Sequence, residues 1–268
     1  MLPTGKAHVS YSEIKDWMDC SFRHKLKYVK KIDMFKPNTN LVFGTAMHSA
    51  IEHYVKTKTV DLGSAKKILD DAWEVNKDNE DFKKNNKEEF LNTIGNMLLD
   101  LPIFLDETFK GWELVQTEEN LMEDFAPLFE KHAGLSLKGF VDCVLKVPAK
   151  KKGEWLYWII DWKSTARPWT KVKLQDQKVT MQLVLYKKFW ADKHKVPIKS
   201  IRCGFVTMLK KAKPGKFCRL IAISVGEVSI NKSLIVINNS LTSIKRGMAI
   251  KNRNSCRFCD YKDTEHCT

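Results

Sequence analysis

The sequence of 268 residues contains no long apolar run. A membrane-spanning helix needs about 18 or more consecutive apolar residues, and no segment here reaches that length. The N-terminal stretch MLPTGKAHVS likewise lacks the apolar core of a secretion signal. We therefore expect no membrane association and a reducing, cytoplasmic location, with a bacterial, archaeal or viral setting favoured.

The chain also lacks a phosphate-binding loop of the pattern GxxxxGK[ST]. This excludes a self-contained helicase–nuclease, although the chain could still serve a helicase as a partner protein. No internal repeat or low-complexity segment is present. The length suits one large domain, and we treat residues 1–268 as a single domain.

Positive charge is in clear excess. The 46 Lys and Arg residues outnumber the 32 Asp and Glu residues, for a formal net charge of +14. Such an excess favours a polyanionic partner, usually nucleic acid. A solvated lysine surface without a partner would have the same composition, so charge alone does not choose between the two.

Hydrophobic periodicity predicts helices near both ends of the chain and strands between them. Helices are expected over residues 10–30 (with Ser12 as N-cap), 41–56, 173–194 and 233–250. Strands are expected over residues 112–125, 135–147, 154–165, 201–210 and 217–225. Residues 61–110 form a predicted helical insertion in which Pro102 closes or interrupts a helix. This order predicts an α/β core with helical additions.

The stretch WIIDWKST, residues 158–165, ends a hydrophobic strand in Asp161 and Lys163. Both point to one face because side chains alternate along a strand. Asp142 lies in the preceding strand, joined by a short turn, so the two carboxylates can share a hard cation such as Mg²⁺ or Mn²⁺. Taken alone, the pattern is more often an exposed strand end whose Asp and Lys pair with each other.

Several motifs together resemble the PD-(D/E)XK nuclease superfamily, in its RecB-like branch. They are GFVDCVL with Asp142, IIDWKS with Asp161 and Lys163, FGTAMHSAIEHY with His48, MQLVLYKKF with Gln182 and Tyr186, and the entry helix YSEIKDWMDCSFRHKLKY. The resemblance implies a central mixed β-sheet flanked by helices. It does not extend to residues 61–110.

The resemblance also implies roles at the site. His48, Asp142, Asp161 and the backbone carbonyl of Trp162 would be metal ligands. Because the Trp162 side chain alternates with those of Asp161 and Lys163, its indole is expected in the core on the opposite face. Lys163 would position the attacking water, and Gln182 and Tyr186 would hold a phosphate or Lys163. As an additional acid near the metal, Glu118 is preferred to Glu119. Trp169, in a predicted loop, is a candidate substrate contact.

Cysteines form the second constellation. Cys256, Cys259 and Cys267 crowd a short polar tail, and three thiolates cannot close a tetrahedral site. Cys20 is the candidate fourth ligand. The layout resembles the iron–sulfur subclass of RecB-like nucleases, which implies a structural [4Fe–4S] cluster. Spacing alone also allows Zn²⁺. In either case residues 251–268 are expected to pack with the N-terminal helix around Cys20, as a clasp.

These observations favour a metal-dependent DNA exonuclease that acts on single strands or DNA ends. Helicase, recombination or CRISPR-adaptation proteins are the partners that the resemblance implies. Two alternatives remain open: a nuclease-fold module that has lost catalysis, and a non-catalytic nucleic-acid adaptor stabilised by zinc or a cluster.

Overall fold

The computed structural model describes residues 1–268, apart from the side chain of Phe258. Within this part of the chain, six strands form one mixed sheet with helices on both faces. The strands are β1 (His8–Ser10), β2 (Glu113–Asp124), β3 (Ser136–Pro148), β4 (Trp155–Thr165), β5 (Ile201–Leu209) and β6 (Cys218–Ile223). The predicted α/β class with a central mixed sheet flanked by helices is confirmed.

In the strand order β1-β3-β4-β5-β6, both β1 and β4 pair with the same edge of β3, and we call the gap between them the fork. The other edge of β3 pairs antiparallel with β2. On the forked edge, β1 runs parallel to residues 136–138 of β3. The β4 strand then pairs antiparallel with β3 from Cys143 onward. Among the described residues, 139–142 have no ladder partner on this edge. The fork therefore opens at the strand segment that carries Asp142.

The helices divide between the two faces of the sheet. They are α1 (Tyr11–Asp19), α2 (Ser21–His24), α3 (Thr39–Thr57), α4 (Gly63–Val75), α5 (Glu80–Lys84), α6 (Lys87–Thr108), α7 (Lys171–Gln175), α8 (Gln177–His194) and α9 (Glu227–Lys245). One apolar core packs the sheet against α1, α8 and α9. The other packs it against α3, α4 and α6. None of the described helices is both long and apolar enough to cross a bilayer.

The N-terminal helical segment differs from the prediction of one helix over residues 10–30. Ser10, not Ser12, caps α1, because its hydroxyl oxygen accepts a hydrogen bond from the Glu13 amide at 3.2 Å. Cys20 then adopts an extended conformation (φ −162°, ψ 110°) that ends α1 before α2 begins. A π-helical turn, Lys25–Val29, follows α2. The break at Cys20 turns its thiol toward the tail, where the Asn252 amide reaches Cys20 Sγ at 3.4 Å.

Three further helix predictions were wrong at their boundaries. Pro102 neither closes nor interrupts α6, which runs through it because buried leucines on both sides anchor the helix. The predicted helix over residues 173–194 is divided at Asp176, whose carboxylate caps α8 by accepting a hydrogen bond from the Lys178 amide at 2.8 Å. The last helix starts earlier than predicted, at Glu227, and ends before Gly247, whose φ of +68° cannot continue a helix.

Candidate metal centre

Asp142 and Asp161 occupy the point where β3 and β4 separate. Cys143 and Ile160 are the last paired residues, so each aspartate is the next residue into the fork. The Trp162 amide donates a hydrogen bond to Asp142 Oδ2 at 2.9 Å. The Asp142 side chain is 12 % exposed and that of Asp161 only 1 %. Two carboxylates are thus withdrawn from water at one end of a strand pair.

His48 reaches the fork from α3. Its Nε2 lies 3.0 Å from the Trp162 carbonyl oxygen, and its Nδ1 lies 3.6 Å from Asp142 Oδ2. A carbonyl oxygen only accepts, so Nε2 must donate, and in the neutral ring Nδ1 then carries the lone pair. Burial lowers the pKa of His48 and so favours this neutral form. The ring presents a ligand nitrogen toward the aspartate.

Glu118 and Glu119 of β2 point to opposite faces of the sheet. Thr117 and Glu119 pair with Cys143 and Val141, which places Glu118 across from Asp142. Glu118 has a φ of +47°, in the left-handed region that costs a non-glycine residue about 1–3 kcal/mol. Such strain is often found at functional sites. Partial burial and the charge of Glu52 raise the pKa of Glu118.

Glu119 is instead a structural residue of the opposite face. Its carboxylate accepts hydrogen bonds from Trp190 Nε1 at 2.7 Å and His194 Nε2 at 2.6 Å, and it also pairs with Lys193 at 2.9 Å. These three residues belong to α8. The contacts attach β2 to α8, which leaves Glu118 as the acid that faces the fork.

Lys163 and Asp161 form an ion pair, with Lys163 Nζ 2.7 Å from Asp161 Oδ2. Neither Asp161 oxygen accepts a hydrogen bond of good geometry from the described residues. Burial alone would lower the pKa of Lys163, but the charges of Asp161 and Asp142 outweigh it and raise that pKa. Lys163 is therefore a fixed cation beside a carboxylate that has spare acceptor capacity.

The fork concentrates negative charge without enough donors to satisfy it. Burial raises the pKa of Asp142 well above its ordinary value, and the charge of Asp161 adds to this effect. His48, Glu118 and Asp142 each offer one ligand atom, and these atoms lie within 4.8 Å of one another. Asp161 lies outside this group, against Lys163. Two carboxylates and one imidazole are a donor set that suits Mg²⁺ or Mn²⁺, so the residues present fit such an ion.

Gln182 and Tyr186 lie one turn apart on α8. Gln182 Nε2 donates a hydrogen bond to the Tyr186 hydroxyl at 3.3 Å. Burial raises the pKa of Tyr186 to about 12, against the effect of that hydrogen bond. The ring packs on Gly139, where a Cβ atom would lie 2.6 Å from Tyr186 Cε1. The close approach holds the tyrosine at the fork.

Comparison with known proteins identifies the family. The model of the PD-(D/E)XK nuclease superfamily matches residues 8–264. The chain belongs to this superfamily. A solved structure of a proposed exonuclease from Eubacterium rectale superimposes on it with a TM-score of 0.57 and 15 % identity, covering 95 % of this chain and 88 % of that one. No curated protein sequence matches at a significant level.

PD-(D/E)XK nucleases use divalent metals, and the acidic cluster at the fork is a candidate for such a site in this chain. The Trp162 indole is 2 % exposed, so its predicted place in the core is confirmed. Tyr11 of α1 was not singled out from the sequence. Its hydroxyl donates a hydrogen bond to the Lys178 carbonyl oxygen, and its pKa is raised by burial and by Asp161. A tyrosine near a helix N-cap has no local signal that would reveal this position.

The cysteines of this PD-(D/E)XK chain come together from its two ends. Cys20, Cys256, Cys259 and Cys267 all line one cavity of about 390 Å³. Around them, the Ser255 hydroxyl donates a hydrogen bond to the Asp19 carbonyl oxygen at 2.7 Å, and the Ile250 amide donates to Ser21 Oγ at 2.8 Å. These contacts join the tail to the bend that follows α1.

Several Lys and Arg side chains of this chain are bound to carboxylates or carbonyl oxygens of the protein itself. Arg23 contacts Asp16 and Asp19, and Lys178 contacts Asp19 at 2.7 Å. Lys187 is buried and donates a hydrogen bond to the Val225 carbonyl oxygen. Trp169 packs on Phe205 and is only partly exposed. Arg23, Lys178 and Lys187 therefore serve the fold through these contacts.

Proposed function

We propose that this chain is a metal-dependent deoxyribonuclease that hydrolyses phosphodiester bonds, acting as an exonuclease on single-stranded DNA or DNA ends. The observation that carries the proposal is the fork, where His48, Glu118 and Asp142 converge beside the Asp161–Lys163 pair. Membership of the PD-(D/E)XK superfamily supports a nuclease. The net charge of +14 supports a polyanionic substrate.

His48, Asp142, Asp161 and Glu118 would hold one or two Mg²⁺ or Mn²⁺ ions. A bound divalent ion lowers the pKa of a water molecule and screens the charge of a phosphate. The Trp162 carbonyl oxygen, implied as a further ligand, accepts a hydrogen bond from His48 Nε2 and thereby orients the ring. We assign it this orienting role in addition to that of a ligand.

The remaining residues act on water and phosphate directly. Lys163 is protonated, and its ammonium group donates to the attacking water or to a phosphate oxygen. Gln182 and Tyr186 offer an amide and a hydroxyl from α8, both donors that can bind a phosphate oxygen or Lys163. The reaction would be in-line attack of water at phosphorus, in which a new P–O bond forms as the bond to the leaving sugar oxygen breaks. The water proton passes to solvent, the leaving oxygen takes up a proton, and Lys163 steadies the developing charge.

The enzyme assignment is tested by Asp161→Asn, with Asp124→Asn as a control at the far end of β2. We expect Asp161→Asn to abolish Mn²⁺-dependent cleavage of end-labelled single-stranded DNA and to leave DNA binding in EDTA within about threefold, because the amide removes charge but little volume. The Asp124→Asn variant should cleave normally. Cleavage retained by Asp161→Asn would remove the central assignment and favour a non-catalytic adaptor.

We also propose that Cys20, Cys256, Cys259 and Cys267 bind a structural [4Fe–4S] cluster. The position of all four cysteines around one cavity supports a ligand that they share, and the family resemblance favours a cluster over a single zinc ion. A cluster held from both chain ends would close the clasp around the bend at Cys20, since the tail is too polar to dock by apolar burial. Its role here is structural.

Cys20→Ser tests the cluster, with Cys218→Ser as the control outside the cavity. Anaerobically purified protein should absorb broadly near 400 nm (roughly the iron–thiolate range) and contain iron and sulfide. We expect Cys20→Ser to lose this absorption and become less soluble, whereas Cys218→Ser should keep it. A colourless wild-type protein that binds zinc tightly would replace iron by zinc in the proposal.

A further inference from the structure

Phe140 is an exposed aromatic residue next to the metal centre. It is 47 % exposed although it lies in the central strand β3. Phe140 lies two residues before Asp142 along β3, a distance of about 7 Å, so its ring stands next to the fork. Gly139, the residue that precedes Phe140 in the chain, is covered by Tyr186 on the other face of the sheet.

The sheet is bare on the face that carries Phe140. Helices of the second core cover this face only from Cys143 onward. Nearer the fork, Met122 pairs with Lys138 and Asn120 pairs with Phe140, and β1 adds residues that pair with Ser136 and Lys138. We call this surface the shelf and define it by six residues: His8, Ser10, Asn120, Met122, Lys138 and Phe140.

The shelf carries positive charge beside an aromatic ring. Lys138 Nζ lies 5.7 Å from the centroid of the Phe140 ring. Lys6 joins Lys138 and Phe140 in the lining of a cavity of about 320 Å³ at the open fork. The acid in that lining, Glu13, is buried and bound to His24 at 3.0 Å, and the two lysines outnumber it. An ammonium group next to an exposed aromatic ring suits unpaired nucleotides.

We propose that the shelf binds the single-stranded part of the DNA substrate, with one base stacked on Phe140 and a neighbouring phosphate bound by Lys138 and Lys6. This inference rests on the proposed function, because it takes the fork as the point of cleavage. The stacked base belongs to about the first or second nucleotide from the cleaved bond, given the 7 Å offset. A paired base cannot offer its face to the ring, so Phe140 selects unpaired strands.

The stacking contact is tested by binding in EDTA, where no cleavage occurs. The probe is an oligonucleotide with 2-aminopurine placed at successive positions from one end. We expect Phe140→Ala and Phe140→Leu to weaken binding by about 5- to 150-fold and to abolish the fluorescence quenching, because both remove the π-face. Phe140→Trp should retain both signals. Leu99→Ala removes a 66 % exposed side chain from α6 and should change neither.

The phosphate contact has its own readout. Lys138→Gln should lower the slope of log affinity against log salt concentration by about 0.7, the value for one phosphate contact to a single strand. Lys77→Gln removes an exposed cation from the turn that follows α4 and should leave the slope unchanged. An unchanged slope for Lys138→Gln contradicts the proposed position of the phosphate.

Failure of the shelf and failure of the nuclease assignment differ in outcome. If wild-type protein cleaves DNA with Mn²⁺ but Phe140→Leu binds and quenches like wild type, the shelf proposal is overturned and the nuclease remains. If wild-type protein binds single strands but cleaves none with any divalent ion, the proposed function fails. Thermal melts check that Phe140→Leu and Phe140→Trp fold. If Phe140→Ala does not fold, the comparison of these two variants still tests the stacking contact.

Discussion

Replacing Asp142 by asparagine should make the protein more stable and inactive. The Asp142 carboxylate is buried beside Asp161, and this arrangement raises its pKa well above the ordinary value. Keeping it ionised at neutral pH therefore costs free energy of folding. The amide oxygen of asparagine can still accept the hydrogen bond from the Trp162 amide, so the substitution removes charge and preserves that contact.

We expect a gain of about 0.5–2 kcal/mol in the free energy of unfolding without metal. For a chain of this size about 1 kcal/mol corresponds to roughly 2–4 °C, so the midpoint should rise by about 1–8 °C. The sign depends on pH. In wild type, the ionised Asp142 carboxylate lowers the free energy of unfolding in full at a pH above its raised pKa. This destabilisation shrinks as the pH falls through the raised pKa, and it is absent below the ordinary value of 3.8. The advantage of Asp142→Asn should therefore disappear between neutral pH and about pH 4.

Thermal melts with EDTA or Mn²⁺ measure both effects. At a Mn²⁺ concentration of about 100 times the dissociation constant, wild type should gain about 2.7 kcal/mol, or roughly 5–11 °C, and Asp142→Asn should gain little. A variant that melts below wild type in EDTA at neutral pH would refute the electrostatic reasoning. A full Mn²⁺ shift in the variant would refute the place of Asp142 among the ligands.

Two further substitutions test how the fork is supported. Gly139→Ala should cost about 1–3 kcal/mol and slow cleavage, because the new Cβ would lie 2.6 Å from Tyr186 Cε1. Gly226→Ala meets nothing within 4 Å and should cost less, about 0.5–1 kcal/mol, because alanine is a poorer N-cap of α9 than glycine. Equal urea unfolding curves for the two variants would contradict this packing. Lys178→Met should cost roughly 0.5–1.5 kcal/mol by breaking the 2.7 Å ion pair with Asp19. Burial alone would raise the pKa of Asp19, but the contact with Lys178 acts against burial and lowers it. The loss of stability in Lys178→Met should therefore be present at pH 7 and fade as the Asp19 carboxyl protonates. An equal loss of stability at pH 7 and pH 3 would argue against the ion pair.

Much of the fold follows from local pattern. Strand β4 begins with a continuous apolar run over residues 155–160 that follows a turn, and such a run can be read without knowledge of its partners. Helix boundaries were less predictable. The chain between Tyr11 and Val29 has helical periodicity throughout, but the contacts of Cys20 and Ser21 with the tail, more than 200 residues away, interrupt the helix. A periodic pattern carries no information about such distant partners.

The candidate site divides in the same way. Asp161 and Lys163 share a face because strand side chains alternate, and that rule is written in the sequence. The choice between Glu118 and Glu119 required the register of β2 on β3, together with the positive φ of Glu118. Both are acids in one strand, and only the packing of α8 on the opposite face shows which of them is already satisfied.

The sequence by itself determined the alternation of apolar and polar positions, the charged ends of the strands and the set of four cysteines, because these depend on neighbours along the chain. The tertiary structure alone decided the fork that leaves Asp142 unpaired by β1 and β4, the turn of His48 toward the Trp162 carbonyl, and the exposure of Phe140. Those features arise where elements distant in sequence meet or fail to meet, and burial, register and charge at such contacts are properties of the packed chain.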